Sequence, residues 1–258
     1  MRAVSILFIA LGLGLSPLLA EEGDGEEPDG KVEDANADPK VSPVDREKAK
    51  ELLKGLDDAV AAKEENAIVA ALEPLITASH EDFIKKLGAL ANHRFLSVRV
   101  SAVKALGSQE PMKKVAPILI ALLKAKQIES FPPALAMCVS SLRRLGCDSK
   151  PAFDEIRSLF VKPAAIDVMR EIVRYFRDLK RLDCVSLLVA WVEQPQPASV
   201  NSGSNPPESY WKAMWEIWSG IRLEVRDALR TLTGKEFETQ KVWREWIDSP
   251  EARKLGVK

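Results

Sequence analysis

Two histidines, His80 and His93, and three cysteines, Cys138, Cys147 and Cys184, are all this chain offers for metal or thiol chemistry. Neither histidine has a Cys or a second His at ligand spacing, so no metal site is expected. No G-x-S-x-G elbow, H-E-x-x-H helix or phosphate-cradling glycine loop occurs, and Thr233-Gly-Lys235 lacks the rest of a P-loop. Aspartates and glutamates are abundant, but nothing singles out a pair for acid–base work. The expectation is a protein with no catalytic residue, metal or cofactor. Cys138 shares a helical face with Leu135 and Leu142 and reads as a small buried apolar residue. Cys147 and Cys184 both stand near helix ends, which leaves a bridge between them open in an oxidising compartment.

Two other groups of residues could make contacts rather than bonds. The first is arginine: Arg99, then Arg143 and Arg144, then Arg170, Arg174 and Arg177, then Arg222, Arg226 and Arg230. The last three recur at i, i+4, i+8 and form one row on a helix. If the helices that carry these arginines line one face, the face becomes a basic groove for an anionic partner. Asp167, Glu171, Asp178, Glu224 and Asp227 are interleaved with them. Those acids equally allow an ordinary solvated face, with intrahelical pairs worth roughly 0.2–0.5 kcal/mol each. The second group is aromatic. Trp211, Trp215 and Trp218 recur at i, i+4, i+7, and Trp243 and Trp246 at i, i+3. Such stripes usually seal a core, here at the C-terminal end, and otherwise make a platform for sugars or peptide side chains.

The elements that must position these side chains are helices, because no pattern of period two appears. Ser42-Pro43-Val44-Asp45 reads as a helix start, with Ser capping and Pro in the first turn. A second helix follows from about Asn66, bent near Pro74, and a third begins at Ser79-x-x-Asp82, with His80 in its first turn. Prolines at 111, 132–133, 151 and 163 then mark the starts of later helices. Residues 194–209, rich in Pro, Ser and Asn, break the pattern and read as a loop insertion. Beyond it, Tyr210 to Leu232 reads as one long helix or two joined at Gly220, and Thr239 to about Ala252 as a closing helix.

The stretch Phe95-Leu-Ser-Val-Arg-Val-Ser-Ala-Val-Lys-Ala-Leu-Gly107 organises the whole. Val98, Ala102, Ala105 and Leu106 share one face, and Gly107 stands where a helix commonly ends in a left-handed turn. Weaker echoes end at Leu145-Gly146, Phe176 and Leu232-Thr-Gly234, an irregular repeat of roughly 30 to 50 residues. Ser97-Val-Arg99-Val-Ser-Ala-Val-Lys-Ala-Leu-Gly107 resembles the second helix of a HEAT repeat. Lys113-Lys-Val-Ala-Pro-Ile-Leu-Ile-Ala-Leu-Leu123 looks like the first helix of the next, and Leu223-Glu-Val-Arg226-Asp-Ala-Leu-Arg-Thr-Leu-Thr-Gly234 matches again. Lys235-Glu-Phe237 with Val242-Trp-Arg-Glu-Trp246 is similar to the ends of exported bacterial HEAT-repeat proteins. The likeness covers about 80–247. It implies an all-α fold, an α-solenoid of about four to five antiparallel helix pairs that binds another macromolecule along one helix-lined face. It brings no catalytic residue with it. The aspartates that precede the second helix in the family are absent here, where Asn92 and His93 stand, which puts the family's Asp–Arg ladder in question.

The N-terminal residues set the expected location. Met1-Arg2, the apolar run Ala3 to Leu15 and the exit Pro17-Leu-Leu-Ala20 make a signal-peptide pattern over residues 1–20. Residues 21–42 read as a disordered acidic linker, with few apolar residues to offset the entropy of ordering them. Residues 21–45 carry a net −8. With that and Arg2 set aside from the whole-chain −1, the remainder stands at +6. A helical repeat domain over 43–258, exported to the periplasm or beyond and free of any membrane span once the leader is cut, is the expectation. Its partner would be a protein or an anionic polymer of the envelope, met through the nine arginines above. One alternative is a HEAT-fold enzyme of DNA glycosylase type, against which the leader and a charge of +6, too modest for a dedicated nucleic-acid binder, both speak; a purely structural spacer is the other.

Overall fold

A computed structural model describes residues 40–162, 165–196 and 205–257. The expected leader and almost all of the acidic linker, and residues 197–204 of the expected loop, lie outside the described residues.

The chain enters through β1 (Ser42–Pro43) and then α1 (Arg46–Ala62), α2 (Glu65–Leu72) and α3 (Pro74–Thr77). β2 (Ala78–Ser79) precedes α4 (Glu81–Leu90), α5 (Leu96–Leu106) and α6 (Met112–Leu123). Next come α7 (Lys126–Glu129), α8 (Pro132–Arg144), α9 (Lys150–Val161) and α10 (Ile166–Asp178). A short turn at Leu182–Cys184 leads into α11 (Val185–Val189), followed by α12 (Glu208–Thr233), α13 (Gln240–Ile247) and α14 (Pro250–Leu255). The described chain is all-α apart from one two-residue parallel pair, in which Ser42 lies opposite Ala78 and Pro43 opposite Ser79.

That pair corrects one expectation. Ser42 and Pro43 do not open a helix; they are held alongside Ala78–Ser79, and Asp45 caps α1 by accepting from the Lys48 N–H at 2.8 Å. His80, expected in the first turn of α4, caps it instead, its Nδ1 accepting from the Asp82 N–H at 3.2 Å. Gly107 is a second correction: it keeps a right-handed φ of −64°. Its lack of a side chain serves space rather than a turn, because a Cβ there would lie 2.6 Å from Ser141 Cβ on α8. Gly146 and Gly234 do take the left-handed conformation, at φ +64° and +67°, and end α8 and α12.

Amphipathic stripes decide which faces meet. Val98, Ala102, Val103, Ala105 and Leu106 of α5 are buried, as are Leu135, Cys138, Val139 and Leu142 of α8 and Ile172, Val173 and Phe176 of α10. α2, α5, α8, α10 and α12 pack each on the next as one row of neighbours, and α1, α4, α6 and α9 lie beside them as another. Leu106, Phe176 and Leu232 fall in one buried cluster running from Ala49 to Val257. Leu145 is only half-buried, because α8 ends at Arg144 and Leu142 fills the core position instead. At the C-terminal end Phe237, Trp243 and Trp246 stack edge to face, with Phe237 and Trp243 centroids 4.8 Å apart. All three cysteines are buried free thiols, so the bridge left open between Cys147 and Cys184 is not formed.

Candidate functional site

The two histidines are used locally. His80 caps α4, and His93 Nδ1 accepts from the Phe95 N–H at 3.3 Å just before α5. Burial, with Arg94 and Arg99 nearby, pushes the His93 imidazole below its ordinary value. Among the described residues no group of three or more His, Cys, Asp or Glu side chains is gathered to hold a metal ion.

The arginines are brought onto adjacent helices. Arg143 on α8 reaches across to α10, where its Nη1 lies 2.8 Å from Asp178 Oδ2 and its Nε 3.5 Å from Glu171. Arg177 on α10 lies 2.8 Å from Asp178 on its own helix and 2.8 Å from Asp227 on α12. Arg230 closes the series on Asp227 at 2.9 Å. Arg174 pairs with Glu171 at 2.8 Å. Arg170 donates to the Gly220 carbonyl at 3.0 Å and sits 3.2 Å from Glu224, both on α12. A chain of alternating charge therefore runs over three helices.

The charges respond accordingly. Burial works to raise the Asp178 carboxyl, but hydrogen bonds from Arg177 and Arg143 outweigh it and hold it below the usual range. Asp227 is lowered by the Arg177 hydrogen bond first, against burial, with Arg230 adding to it. The acids were legible in the sequence as intrahelical partners. Their reach to the next helix was not, because it depends on which faces the helices present to one another.

The remaining arginines divide. Arg99 donates to the His93 carbonyl at 2.5 Å, and Arg144 to the Lys104 carbonyl at 3.2 Å, so both tie backbone ends together. Arg222 lies over the Trp218 ring at 5.2 Å, and Arg226 sits 3.8 Å from Glu238. Leu223, read in the sequence only as the start of a repeat match, stands beside them and is 69% exposed. Arg226 and Arg230 are 42% and 61% exposed, against 18% for Arg143. Beside those two backbone ties, the expected arginine surface thus splits into a charge ladder over α8, α10 and α12, which Arg230 ends, and a stripe on α12 of Arg222, Leu223 and Arg226 that runs on to the exposed side of Arg230.

The tryptophans divide as well. Trp243 and Trp246 belong to the core, whereas Trp211, Trp215 and Trp218 are half-buried. Trp215 Nε1 donates to the Pro195 carbonyl at 2.7 Å, and Tyr210, Trp211 and Met214 line an adjoining cleft of about 600 Å³. Set against known proteins, the chain matches no family model, no curated protein and no solved structure.

Proposed function

We propose that this chain is a non-catalytic interaction module, an exported α-solenoid of HEAT-like helix pairs that binds a protein or an anionic envelope polymer. The observation that carries this reading is the open stripe on α12, an exposed leucine set among arginines whose neighbours on α8 and α10 are already paired. Arginine is among the residues enriched in interface hot spots, and an exposed leucine beside it adds apolar area that a partner could bury. The side-by-side row of α2, α5, α8, α10 and α12 supports the repeat architecture, because each helix of such a row contacts chiefly its neighbours. The Arg143–Asp178 and Arg177–Asp227 pairs join successive helices, as a ladder between repeats does, although the acids come from different positions than in the family.

The test places a photo-cross-linking residue at position 223 in the full chain, in the organism that makes it, with position 161 as an equally exposed control on α9. The reading expects a discrete cross-linked species at 223 in the exported fraction, absent at 161 and lost in an Arg222→Glu, Arg226→Glu variant. Recovery of the protein only from the cytoplasm, or equal cross-linking at both positions, would overturn it. So would DNA binding whose affinity falls much more steeply with salt than a weakly basic surface allows.

A further inference from the structure

Between Lys113 and Lys114 at its start and Lys124 just past its end, the outer face of α6 is apolar where a solvent-facing helix should be polar. Met112 is 42% exposed, Pro117 and Ala121 are exposed and Ile120 is half-buried, while Val115, Leu119, Leu122 and Leu123 already fill the inner face. This ridge stands between two grooves. One, of about 590 Å³, runs between α6 and the start of α9 and is floored by Ala116, Ile120, Cys147 and Pro151. The other, of about 370 Å³, is lined by Ile118, Leu122 and Ala125 together with Asn92. Pro117 and Ala121 border both, so the ridge and its grooves form one continuous apolar surface.

Charge decides what fits there. Among the described residues no carboxylate lines either groove, and the charged residues that do are Lys113 at one end of the larger one and Lys124 at the other. Lys124 is shared with Glu155 at 3.4 Å, with 60% of its side chain still exposed. Eleven positions of α-helix put the Cα atoms of the two lysines about 16 Å apart along the axis, the length of three helical turns. An apolar groove with a cation at each end complements an amphipathic helix with a carboxylate at each end of its apolar stripe. We propose that the α6 ridge is a docking surface for an acidic amphipathic helix of a partner protein, separate from the arginine stripe on α12.

The probe is a fluorescein-labelled synthetic peptide of about 15 residues, with leucines at i, i+3, i+4, i+7 and i+11 and glutamates flanking that stripe. Binding to the full chain is followed by anisotropy, beside a peptide whose glutamates are replaced by lysine. The acidic peptide should bind at least tenfold more tightly. Ile120→Glu should abolish binding, and Ala121→Glu, at an already exposed position, should do the same with no change in thermal midpoint. Lys113→Glu with Lys124→Glu should reverse the preference between the peptides. Equal binding of the two peptides, or binding indifferent to both Ile120→Glu and Ala121→Glu, would overturn the proposal. Displacement of the peptide by phosphatidylglycerol vesicles bound through the same ridge would overturn it too, in favour of a lipid surface.

Discussion

Gln109 has no exposure, yet every polar atom of its side chain is used. The two N–H groups of its amide are shared among the carbonyls of Leu75, Ala78 and Ala105, with Nε2 at 3.0, 3.1 and 2.9 Å, and its oxygen accepts from the His80 N–H at 3.1 Å. One side chain thereby joins the end of α3, β2, the cap of α4 and the last turn of α5. Leucine in its place would fill the volume and leave several buried backbone groups without partners. The Ala105 carbonyl keeps the Ser108 N–H as a partner; the other three groups are stranded at about 1–3 kcal/mol each, so Gln109→Leu should cost at least about 3 kcal/mol. Urea unfolding measures this directly; a change within about 0.5 kcal/mol, the range of an ordinary surface substitution, would mean that water takes over these bonds. Sequence inspection passed Gln109 by for a physical reason. Its partners lie up to 34 positions away, and a glutamine after a helix end looks like any solvated residue.

Helix starts were the most legible elements, because proline and small capping residues mark them whatever the tertiary fold. α6, α8 and α9 begin beside Pro111, at Pro132 and next to Pro151, as the spacing implies, and α12 runs unbroken through Gly220. Gly220 is there for space, since a Cβ would lie 2.7 Å from Ile166 Cγ2 on α10. What stayed hidden was lateral: which arginine meets which acid on the next helix, and that α6 is apolar on its solvent side as well as its core side. From Val115 to Leu123 the helix is apolar all round, a run that reads as buried, so periodicity alone could not flag its exposed ridge. The arginine stripe was visible as a row on α12, but Leu223 within it was not separable from a core leucine.

The ladder between helices has a pH signature. The Asp178 carboxyl is held below its usual value in the folded chain, so the unfolded chain binds the proton more readily as pH falls. Its contribution is therefore present above the ordinary carboxylate value of 3.8 and is lost as pH drops through the lower folded value. Asp178→Asn should lower stability by about 1 kcal/mol at pH 7 and leave Arg143 and Arg177 short of a partner. The gap to the parent should narrow toward pH 3. Denaturant unfolding at pH 7, 5 and 3 checks it; a gap constant across that range would show that packing, and not charge, sets the effect.

Among the described residues the buried apolar side chains form one cluster from Ala49 to Val257, with no break between the first helices and the last. All six tryptophans lie beyond residue 190, so intrinsic fluorescence reports the C-terminal end while far-ultraviolet dichroism reports every helix. If the shared core couples the two ends, both probes should give one coincident urea transition. A fluorescence midpoint displaced from the dichroism midpoint would mark α12 to α14 as a unit that opens by itself, as repeat arrays do when neighbour contacts are weak.

The buried thiols extend that idea to finer intervals along the chain. Cys138 sits in the middle of α8, Cys147 beneath the α6 groove and Cys184 just before α11. Burial pushes the Cys138 and Cys184 thiols up to about 12, so the closed protein gives an alkylating reagent almost no thiolate to attack. Those two sulfurs then react only when their own stretches breathe, and two modification rates become two stopwatches, fixed at known places, for how often the helices part.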